Sequence, residues 1–254
     1  IQAAATTSGA KDIVTRPYIH VSDNAVMNAH LLKAAFQDKC SQFVFFSCSV
    51  MYKPSSTPVK ESDFNPAEPL VPQYFGVGHT KIYNEKMCEF YSKIGPTKHT
   101  VIRHSNIYGP YDKFDLDRSH VFGATVTKVM TSQDGKVKVW GTGEEERDLL
   151  YVSDLTDFVE MVIDGQKEKY LLVNAGYGES VPIKDLVRKI ICHSGRNLEI
   201  VYDTSKPTIP TKLALDSTQA REKFGWSPRV SLDEGIKGTL EWYIENVSTN
   251  VDYF

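Results

Sequence analysis

The sequence predicts an α/β protein built on a doubly wound parallel sheet. Short runs with an apolar centre over Phe43–Ser47 and Thr100–Ser105 indicate buried strands, and helical patterns alternate with them. Apolar strands that are covered on both faces are typical of parallel sheets with helices on each side. Such sheets bind ligands outside the carboxyl ends of their strands. We therefore expect a site immediately after these two strands.

Periodicity and turn residues predict the other elements. A helix should run from about Val26 to Phe36 with Ser22 or Asp23 as its cap, and a second from about Thr80 to Ile94 after a Gly-containing turn. The further predictions are a helix over His120–Met130, strands over Val137–Trp140 and Leu149–Tyr151, a helix to Ile163 capped at Ser153-Asp154, a loop at Pro207–Pro210 and a closing helix over Leu232–Tyr243.

Composition limits the function classes. The chain has 254 residues, of which 41% are hydrophobic and 24% charged, and a net charge of −3 without a basic run. This balance argues against nucleic acid as the main partner. We expect no membrane span, because no apolar run has the required length, and the first residues do not resemble a signal peptide. The four scattered cysteines predict reduced thiols in a cytoplasmic protein, with no metal site.

Three segments together carry a family resemblance. A strand ending in Ser47-Cys48-Ser49, a helix with Lys81 and a strand ending in Asn106 follow in this order. This pattern resembles the extended short-chain dehydrogenase/reductases, also called the NAD-dependent epimerase/dehydratase family. Within it the chain is most similar to the GDP-L-fucose synthases, from Ile1 to about Asn246. The resemblance implies NAD or NADP as cofactor and a nucleoside-diphosphate sugar as substrate, with the base left open and GDP among the options.

The resemblance also implies an organisation. A partial Rossmann-like cofactor domain should comprise 1–108 and 146–181, and an interleaved substrate domain 109–145 and 182–254. The Thr80–Ile94 helix resembles the helix that pairs subunits in family dimers, so we expect a homodimer.

The glycine-rich loop of the family is missing from the sequence, which contains no Gly-x-x-Gly-x-x-Gly. Residues Ile1–Ala5 resemble the end of the family's fourth strand, roughly 60 residues after that loop. We expect the loop to precede the chain in the working protein; the alternative is a cofactor-free relative.

The catalytic tyrosine position is the main departure from the family. There a tyrosine acts as general acid or base, and a lysine four residues later lowers its pKa from about 10 and holds the cofactor ribose. Lys81 matches the lysine, but Val77 stands at the tyrosine position. Tyr74 and His79 are the nearest replacements; the alternatives are a packed loop tyrosine and an exposed histidine.

The resemblance also assigns a polarising hydroxyl and a second proton-transfer group. The hydroxyl position falls on Cys48, and since a thiol is a weak donor, Ser47 or Ser49 should take the role. In fucose synthases a cysteine two residues before the equivalent of Tyr52 assists epimerisation; here Val50 stands there. The partner histidine of that reaction corresponds to His120.

The remaining implied residues hold cofactor and substrate. Arg147 suits a diphosphate because a guanidinium binds phosphate oxygens in bidentate fashion, and Trp140 would bracket the base or sugar. The cofactor set is Ala3, Ala4, Ser47, Lys81, His104 and Asn106. The substrate set is Asn106, Arg118, His120, Val121, Lys128, Trp140, Arg147 and Lys212. The rival hypothesis, based on Val77, is a catalytically impaired sugar-nucleotide binding or scaffold protein.

Overall fold

The computed structural model describes residues 1–7, 9–116, 118–206 and 208–247. Its strands are β1 (Gln42–Phe46), β2 (Lys98–His104), β3 (Asn106–Tyr108), β4 (Lys136–Trp140), β5 (Glu146–Tyr151), β6 (Tyr170–Ala175), β7 (Ser180–Pro182) and β8 (Glu199–Asp203). Its helices are α1 (Ala10–Thr15), α2 (Ser22–Gln37), α3 (Phe75–Ile94), α4 (Val121–Thr131), α5 (Val152–Gly165), α6 (Ile183–Ser194), α7 (Thr218–Phe224) and α8 (Leu232–Asn246). None of the helices in these ranges is long and apolar enough to cross a membrane.

A parallel sheet in the order β1-β2-β6 forms the centre of the fold. Because side chains alternate along a strand, each strand presents apolar residues to both faces. Phe45 and Val101 pack with α2 and α3 on one face. Val44 and Ile102 pack on the other face against α5, where Phe158 is fully buried. The predicted doubly wound α/β architecture is confirmed.

The start of the chain lies along the edge of this sheet. Gln2 forms a parallel bridge with Phe45, and its backbone N–H donates to the carbonyl of Val44 at 2.8 Å. Its buried side chain donates to Asn28 of α2. Ala3 and Ala4 follow at the carboxyl end of the bridge and are exposed.

Two smaller sheets lie beside the central one. In the first, β5 pairs in parallel with β3 and antiparallel with β7; in the second, β4 pairs in parallel with β8. A separate apolar core joins α4, α6 and α8 beneath them, with Phe122, Val126, Leu186, Ile190, Ile236 and Leu240 among its buried members. Helix α7 instead contacts the core of the central sheet through Ala220. The division into two interleaved domains stays a prediction.

Helix α3 begins at Phe75, five residues before the predicted start at Thr80, so the glycines that predicted a turn are helical. Packing explains one of them. A Cβ at Gly78 would lie 2.6 Å from a methyl group of Leu70, which is closer than carbon atoms approach. Gly78 therefore allows the 50–70 loop to pack against the helix, and Val77 beside it is helical too.

Two predicted caps are wrong. Ser22 and Asp23 lie inside α2, whose N-cap is Val21 and has no side-chain cap. Asp154 lies in the first turn of α5, and its carboxylate accepts hydrogen bonds from the backbone N–H groups of Arg229 and Val230. A buried carboxylate binds the nearest unpaired donors, and here those belong to a distant loop.

The other predicted elements are present with shifted ends, whereas β3, β6, β7, β8, α1, α6 and α7 had no prediction. Helix α8 begins with a capping box, in which the Ser231 hydroxyl and the Glu234 carboxylate each accept the other's backbone N–H. The predicted loop at Pro207–Pro210 includes position 207, which lies outside the described residues.

A buried ion pair joins α3 to the central sheet. Both nitrogens of the Arg103 fork donate to the Glu85 carboxylate, at 2.9 and 2.7 Å, and neither side chain is more than 5% exposed. The Ser47 hydroxyl donates to the same carboxylate at 2.6 Å. Arg103 also donates to the hydroxyl of Tyr52, which donates to Asn174. Every charge in this network has a partner, as burial requires.

Removing one partner of this pair should strongly destabilise the fold. Glu85→Ala leaves Arg103 buried without a counter-ion, so we expect a loss of about 3–5 kcal/mol in the free energy of unfolding, measured in urea. Glu89→Ala, in the same helix, is the matched control. Glu89 pairs with exposed Lys86 and Lys93, and its loss should remove about 1 kcal/mol or less. Equal effects of the two substitutions would contradict the structural role of the buried pair.

Candidate active site

Lys81 lies at the carboxyl end of β1. Its ammonium group donates to the carbonyl of Phe46 at 2.7 Å and lies 5.0 Å from the centre of the Phe45 ring. Burial lowers the pKa of Lys81, and the neighbouring Cys48 and Glu85 oppose this shift. Lys81 and Glu85 are one helical turn apart, so α3 presents both to the same strand end.

His104 ends β2 beside Lys81. Its Nδ1 lies 2.7 Å from the carbonyl of Ser105, a contact in which Nδ1 carries the proton and Nε2 is left as an acceptor. Burial lowers the pKa of His104 to about 4, and the charges of Lys81 and His120 contribute to the decrease. His104 is therefore neutral at physiological pH.

The three residues after β1 have different environments. Ser47 is fully buried and its hydroxyl is bound to Glu85. Burial raises the pKa of the Cys48 thiol, although Lys81 opposes the shift, so the thiol is protonated at neutral pH. Ser49 lines a cavity at the carboxyl ends of the strands. Of the two predicted hydroxyls, only that of Ser49 faces this cavity.

This first cavity, which we call the inner cavity, has a volume of about 60 Å³. Ser49, Tyr74, Asn106 and Arg147 line it, together with Val50, Tyr52, Pro54, Val71, Ser105, Glu146, Asp148, Thr211, Leu213 and Leu215. The Asn106 amide donates to the carbonyl of Asp148 at 3.1 Å, which fixes its orientation. Residues of the loop after β1, of β3 and β5, and of the turn before α3 therefore meet here.

Tyr74 enters the inner cavity from the 3₁₀ turn Pro72–Tyr74, directly before α3. Within the described residues its hydroxyl makes no hydrogen bond. Burial raises the pKa of Tyr74, and Arg147 opposes the increase. His79, the other replacement considered from the sequence, is exposed and its ring packs edge-on against Phe75 at 4.6 Å.

A second cavity, which we call the outer cavity, lies between α4, β4 and the 208–209 segment and has a volume of about 140 Å³. It contains four predicted substrate residues, Val121, Lys128, Trp140 and Arg147. The Lys128 ammonium donates to the carbonyl of Lys138 and lies 5.6 Å from the centre of the Trp140 ring. An aromatic ring, an ammonium and apolar side chains together suit a flat polar ligand.

Arg147 lines both cavities. Its guanidinium donates to the Glu146 carbonyl at 2.8 Å and to the Thr211 hydroxyl. It forms no ion pair with any carboxylate of the described residues. Burial lowers the pKa of Arg147, while Tyr74 and Glu145 oppose the shift. A partly desolvated cation without a counter-ion marks a place for an anionic ligand.

His120 is the N-cap residue of α4 and lines neither cavity. Although solvent reaches its side chain, the surrounding protein lowers its pKa, and Lys113, His20 and Arg147 lower it further. His120 is neutral at physiological pH, which leaves one ring nitrogen free to accept a proton.

Some predicted residues are not brought to the cavities. Arg118 is exposed, and its backbone N–H donates to the carboxylate of Asp115. Lys212 is exposed and pairs with Glu146 at 2.8 Å. Ala3 and Ala4 lie at the sheet edge with Lys81 and away from both cavities.

Sequence reasoning missed two carboxylates beside Arg147. Asp148 is buried and accepts hydrogen bonds from the backbones of Tyr177, Gly178 and Leu215, so it holds two loops against the inner cavity. Glu145 lines the outer cavity. The run Glu144-Glu145-Glu146 before an arginine was the only signal, and an acidic run alone more often indicates a solvated loop.

Comparison with known proteins identifies the family. Residues 1–176 match the model of the NAD dependent epimerase/dehydratase family. The chain is 31% identical to the GDP-L-fucose synthase of Sinorhizobium fredii, over 98% of this chain and 80% of the relative. It is 29% identical to the GDP-L-colitose synthase of Yersinia pseudotuberculosis, over 96% and 80%. The chain therefore belongs to the NAD-dependent epimerase/dehydratase family, and the predicted resemblance to extended short-chain dehydrogenase/reductases is confirmed.

Solved structures agree with this assignment. The UDP-glucose 4-epimerase of Thermotoga maritima, solved with UDP-glucose, matches with a TM-score of 0.81 and 26% identity over 96% of this chain and 76% of that one. A GDP-6-OMe-4-keto-L-xylo-heptose reductase from Campylobacter jejuni matches with a TM-score of 0.85 over 98% and 82%. At 22% identity, the second match shows the fold alone. The protein is thus an enzyme of the NAD(P)-dependent epimerase, dehydratase or reductase type.

Proposed function

We propose that the protein acts on a nucleoside-diphosphate sugar with NAD or NADP, and that it reduces a keto group of the sugar. The observation that carries the proposal is the position of Arg147, which lines both cavities without a counter-ion among the described residues. A nucleoside-diphosphate sugar has its anionic diphosphate between the base and the sugar. With Arg147 on the diphosphate, the base would occupy the outer cavity and the sugar the inner cavity.

The side chains near Lys81 fit the ribose end of NAD(P). An ammonium has three donors, and Lys81 uses one of them on Phe46 within the described residues. Two donors remain for the hydroxyls of a ribose, and the exposed Ala3 and Ala4 leave the adjacent sheet edge open. His104 and Asn106 complete the proposed cofactor set, whereas Ser47 is occupied by Glu85. When bound, NAD(P) supplies or accepts a hydride.

Tyr74 is the proposed proton donor. Its raised pKa keeps the phenol protonated at neutral pH, which suits a general acid better than a base. As the carbonyl carbon gains a hydride, Tyr74 gives its proton to the carbonyl oxygen, and Ser49 holds that oxygen by a hydrogen bond. The resulting tyrosinate is stabilised by the charge of Arg147 until water protonates it again. Tyr74 would thus take the role of the family's catalytic tyrosine, whose position is occupied by Val77 in this chain.

His120 supports a second candidate reaction, proton transfer at a carbon beside the carbonyl. Its lowered pKa leaves it neutral and able to accept a proton. Val50 cannot act as the second proton-transfer group, so an epimerisation through two groups would require Cys48, which remains protonated. Reduction needs only Tyr74 and therefore remains the main proposal.

Arg147→Ala should weaken the binding of nucleoside diphosphates by a similar factor for every base. A lost charged hydrogen bond corresponds to about 1.5–3 kcal/mol, or roughly a 10- to 150-fold increase in Kd. Calorimetry with GDP and with UDP measures the effect, and Arg188→Ala on α6, whose side chain pairs with exposed Asp185, is the control. Unchanged affinities in the Arg147 variant would exclude the proposed diphosphate site.

Tyr74→Phe should lower kcat for reduction of a nucleotide-linked 4-keto sugar by roughly 10²–10⁴-fold and change KM little, because only the proton donor is lost. Oxidation of NADH or NADPH reports the rate. Tyr91→Phe on α3 removes a hydroxyl far from the inner cavity and should leave kcat unchanged. A wild-type protein that binds nucleotides but never oxidises either cofactor would instead favour the binding or scaffold function that Val77 suggests.

The homodimer remains part of the proposal. Helices α2 and α3 pack side by side and expose apolar side chains, including Val26, Tyr83, Phe90 and Ile94, the last two being about half exposed. A second copy would cover this surface. Phe90→Glu should therefore convert a dimer to a monomer in light scattering, and Lys138→Glu, which changes an exposed side chain of β4, should not. A monomeric wild-type protein would refute this part.

A further inference from the structure

We propose that Glu145 makes the outer cavity selective for guanine among nucleobases. This proposal rests on the proposed function, which places the base in that cavity. Glu145 belongs to the loop that joins β4 to β5, which we call the 141–145 loop. The geometry points to its carboxylate as the group that reads the hydrogen-bonding edge of the base.

The Glu145 carboxylate is an acceptor without a donor. Of the described residues that line the outer cavity, Glu145 alone carries a carboxylate. No hydrogen bond or ion pair is present for it within the described part of the chain, whereas its neighbours are engaged. Glu144 pairs with Lys184, and Glu146 pairs with Lys212. A partly buried acceptor without a donor is favourable only where a ligand or water supplies one.

The 141–145 loop is held rigidly by its backbone. The carbonyl of Glu145 accepts from the N–H of Ile183 at 2.9 Å, and the carbonyl of Gly143 accepts from Lys184 at 2.9 Å. The N–H of Gly141 donates to Asp203 at 2.9 Å. The loop is therefore anchored to α6 and β8, and the carboxylate position does not depend on a mobile backbone. Such preorganisation lowers the entropy lost on binding.

Gly141 leaves the space that the carboxylate occupies. Its φ is +71°, and a Cβ there would lie 3.0 Å from a Glu145 carboxylate oxygen and 2.6 Å from a methyl group of Thr208. Any side chain at 141 would therefore displace Glu145 or Thr208. The loop thus combines a left-handed backbone conformation, which glycine adopts without strain, with a carboxylate packed against that glycine.

The chemistry of the bases favours guanine at this carboxylate. Guanine presents two adjacent donors, N1–H and the N2 amino group, which match the two oxygens of a carboxylate as a bidentate pair. Uracil presents one N–H between two carbonyl oxygens, and those oxygens would face the negative charge. Discrimination thus comes from attraction of one base and repulsion of the other. Hypoxanthine keeps N1–H but lacks the amino group, so it should bind with intermediate strength.

The other walls of the outer cavity suit a purine. Trp140 offers a ring face for stacking, and Val121, Ile183 and Ile209 provide apolar contacts. Lys128 lies over Trp140 on the same wall. Stacking and apolar contacts of this kind accept any flat base, because every base has a ring face that can stack. Glu145 carries the one carboxylate among the described lining residues, so we expect it to favour a base edge with two adjacent donors.

Calorimetry of the protein with GDP, IDP and UDP tests the proposal. For the wild type we expect GDP to bind at least ten times more tightly than UDP, with IDP between them. Glu145→Gln keeps the shape of the side chain but removes its charge and one acceptor. The affinity for GDP should therefore fall about tenfold or more, while the affinity for UDP stays unchanged or rises. Glu144→Gln is the matched control, because Glu144 is exposed and does not line the outer cavity; it should leave all three affinities unchanged.

The outcomes separate this inference from the proposed function. If Glu145→Gln lowers the affinities for GDP and for UDP by the same factor, the carboxylate binds the ribose that both share, and the inference is overturned. An unchanged ratio of GDP to UDP affinity in the variant overturns it as well. If the wild type binds none of the three nucleotides, the proposed function itself fails. A loss of the GDP preference that is confined to the Glu145 variant supports the assignment.

Discussion

The ion pair between Glu85 and Arg103 is the constraint on which the candidate site depends. It fixes α3 against β2, and its hydrogen bonds to Ser47 and Tyr52 include the end of β1 and the following loop. A shift of α3 along the sheet would be costly, because a displaced Glu85 would leave the buried charge of Arg103 unpaired. Lys81 precedes Glu85 by one helical turn. The structural pair and the proposed cofactor contact are therefore set by the same helix position.

Arg147, unlike Arg103, is a partly buried cation without an ion-pair partner among the described residues. Burial disfavours its charged form; the charge of Glu145 opposes this effect, but no carboxylate of the described residues forms an ion pair with the guanidinium. Carbonyl and hydroxyl oxygens hold the guanidinium in place, so its electrostatic interaction remains available to a ligand. A cation held in this way contributes to binding of an anion with little reorganisation. Arg103, by contrast, is more deeply buried and fully paired, which separates a structural arginine from a candidate binding residue.

In the proposed mechanism, a side chain that is absent at position 77 alters the catalytic arrangement. Val77 removes the phenol from the face of α3 that presents Lys81. Tyr74 supplies another phenol from the turn before the helix, where Arg147 rather than Lys81 is the influencing cation. Lys81 would then position the cofactor that transfers the hydride, and Arg147 would influence the tyrosine that delivers the proton. Burial raises the pKa of Tyr74, and a protonated phenol favours reduction over oxidation in the proposed mechanism.

The sequence by itself determined the fold class and the family. Alternating apolar strands and helices are local patterns, and the spacing of Ser47, Lys81 and Asn106 follows the chain. Sequence also identified Arg147, Trp140, Lys128 and Tyr74 as candidates. Only the tertiary structure decided which candidates meet: Ser47 binds Glu85, 38 residues away, so Ser49 is left facing the inner cavity. Arg147 contacts Thr211, 64 residues away, and Glu145 is anchored by Ile183. The partner of a polar side chain depends on long-range packing, which periodicity and motif spacing do not contain.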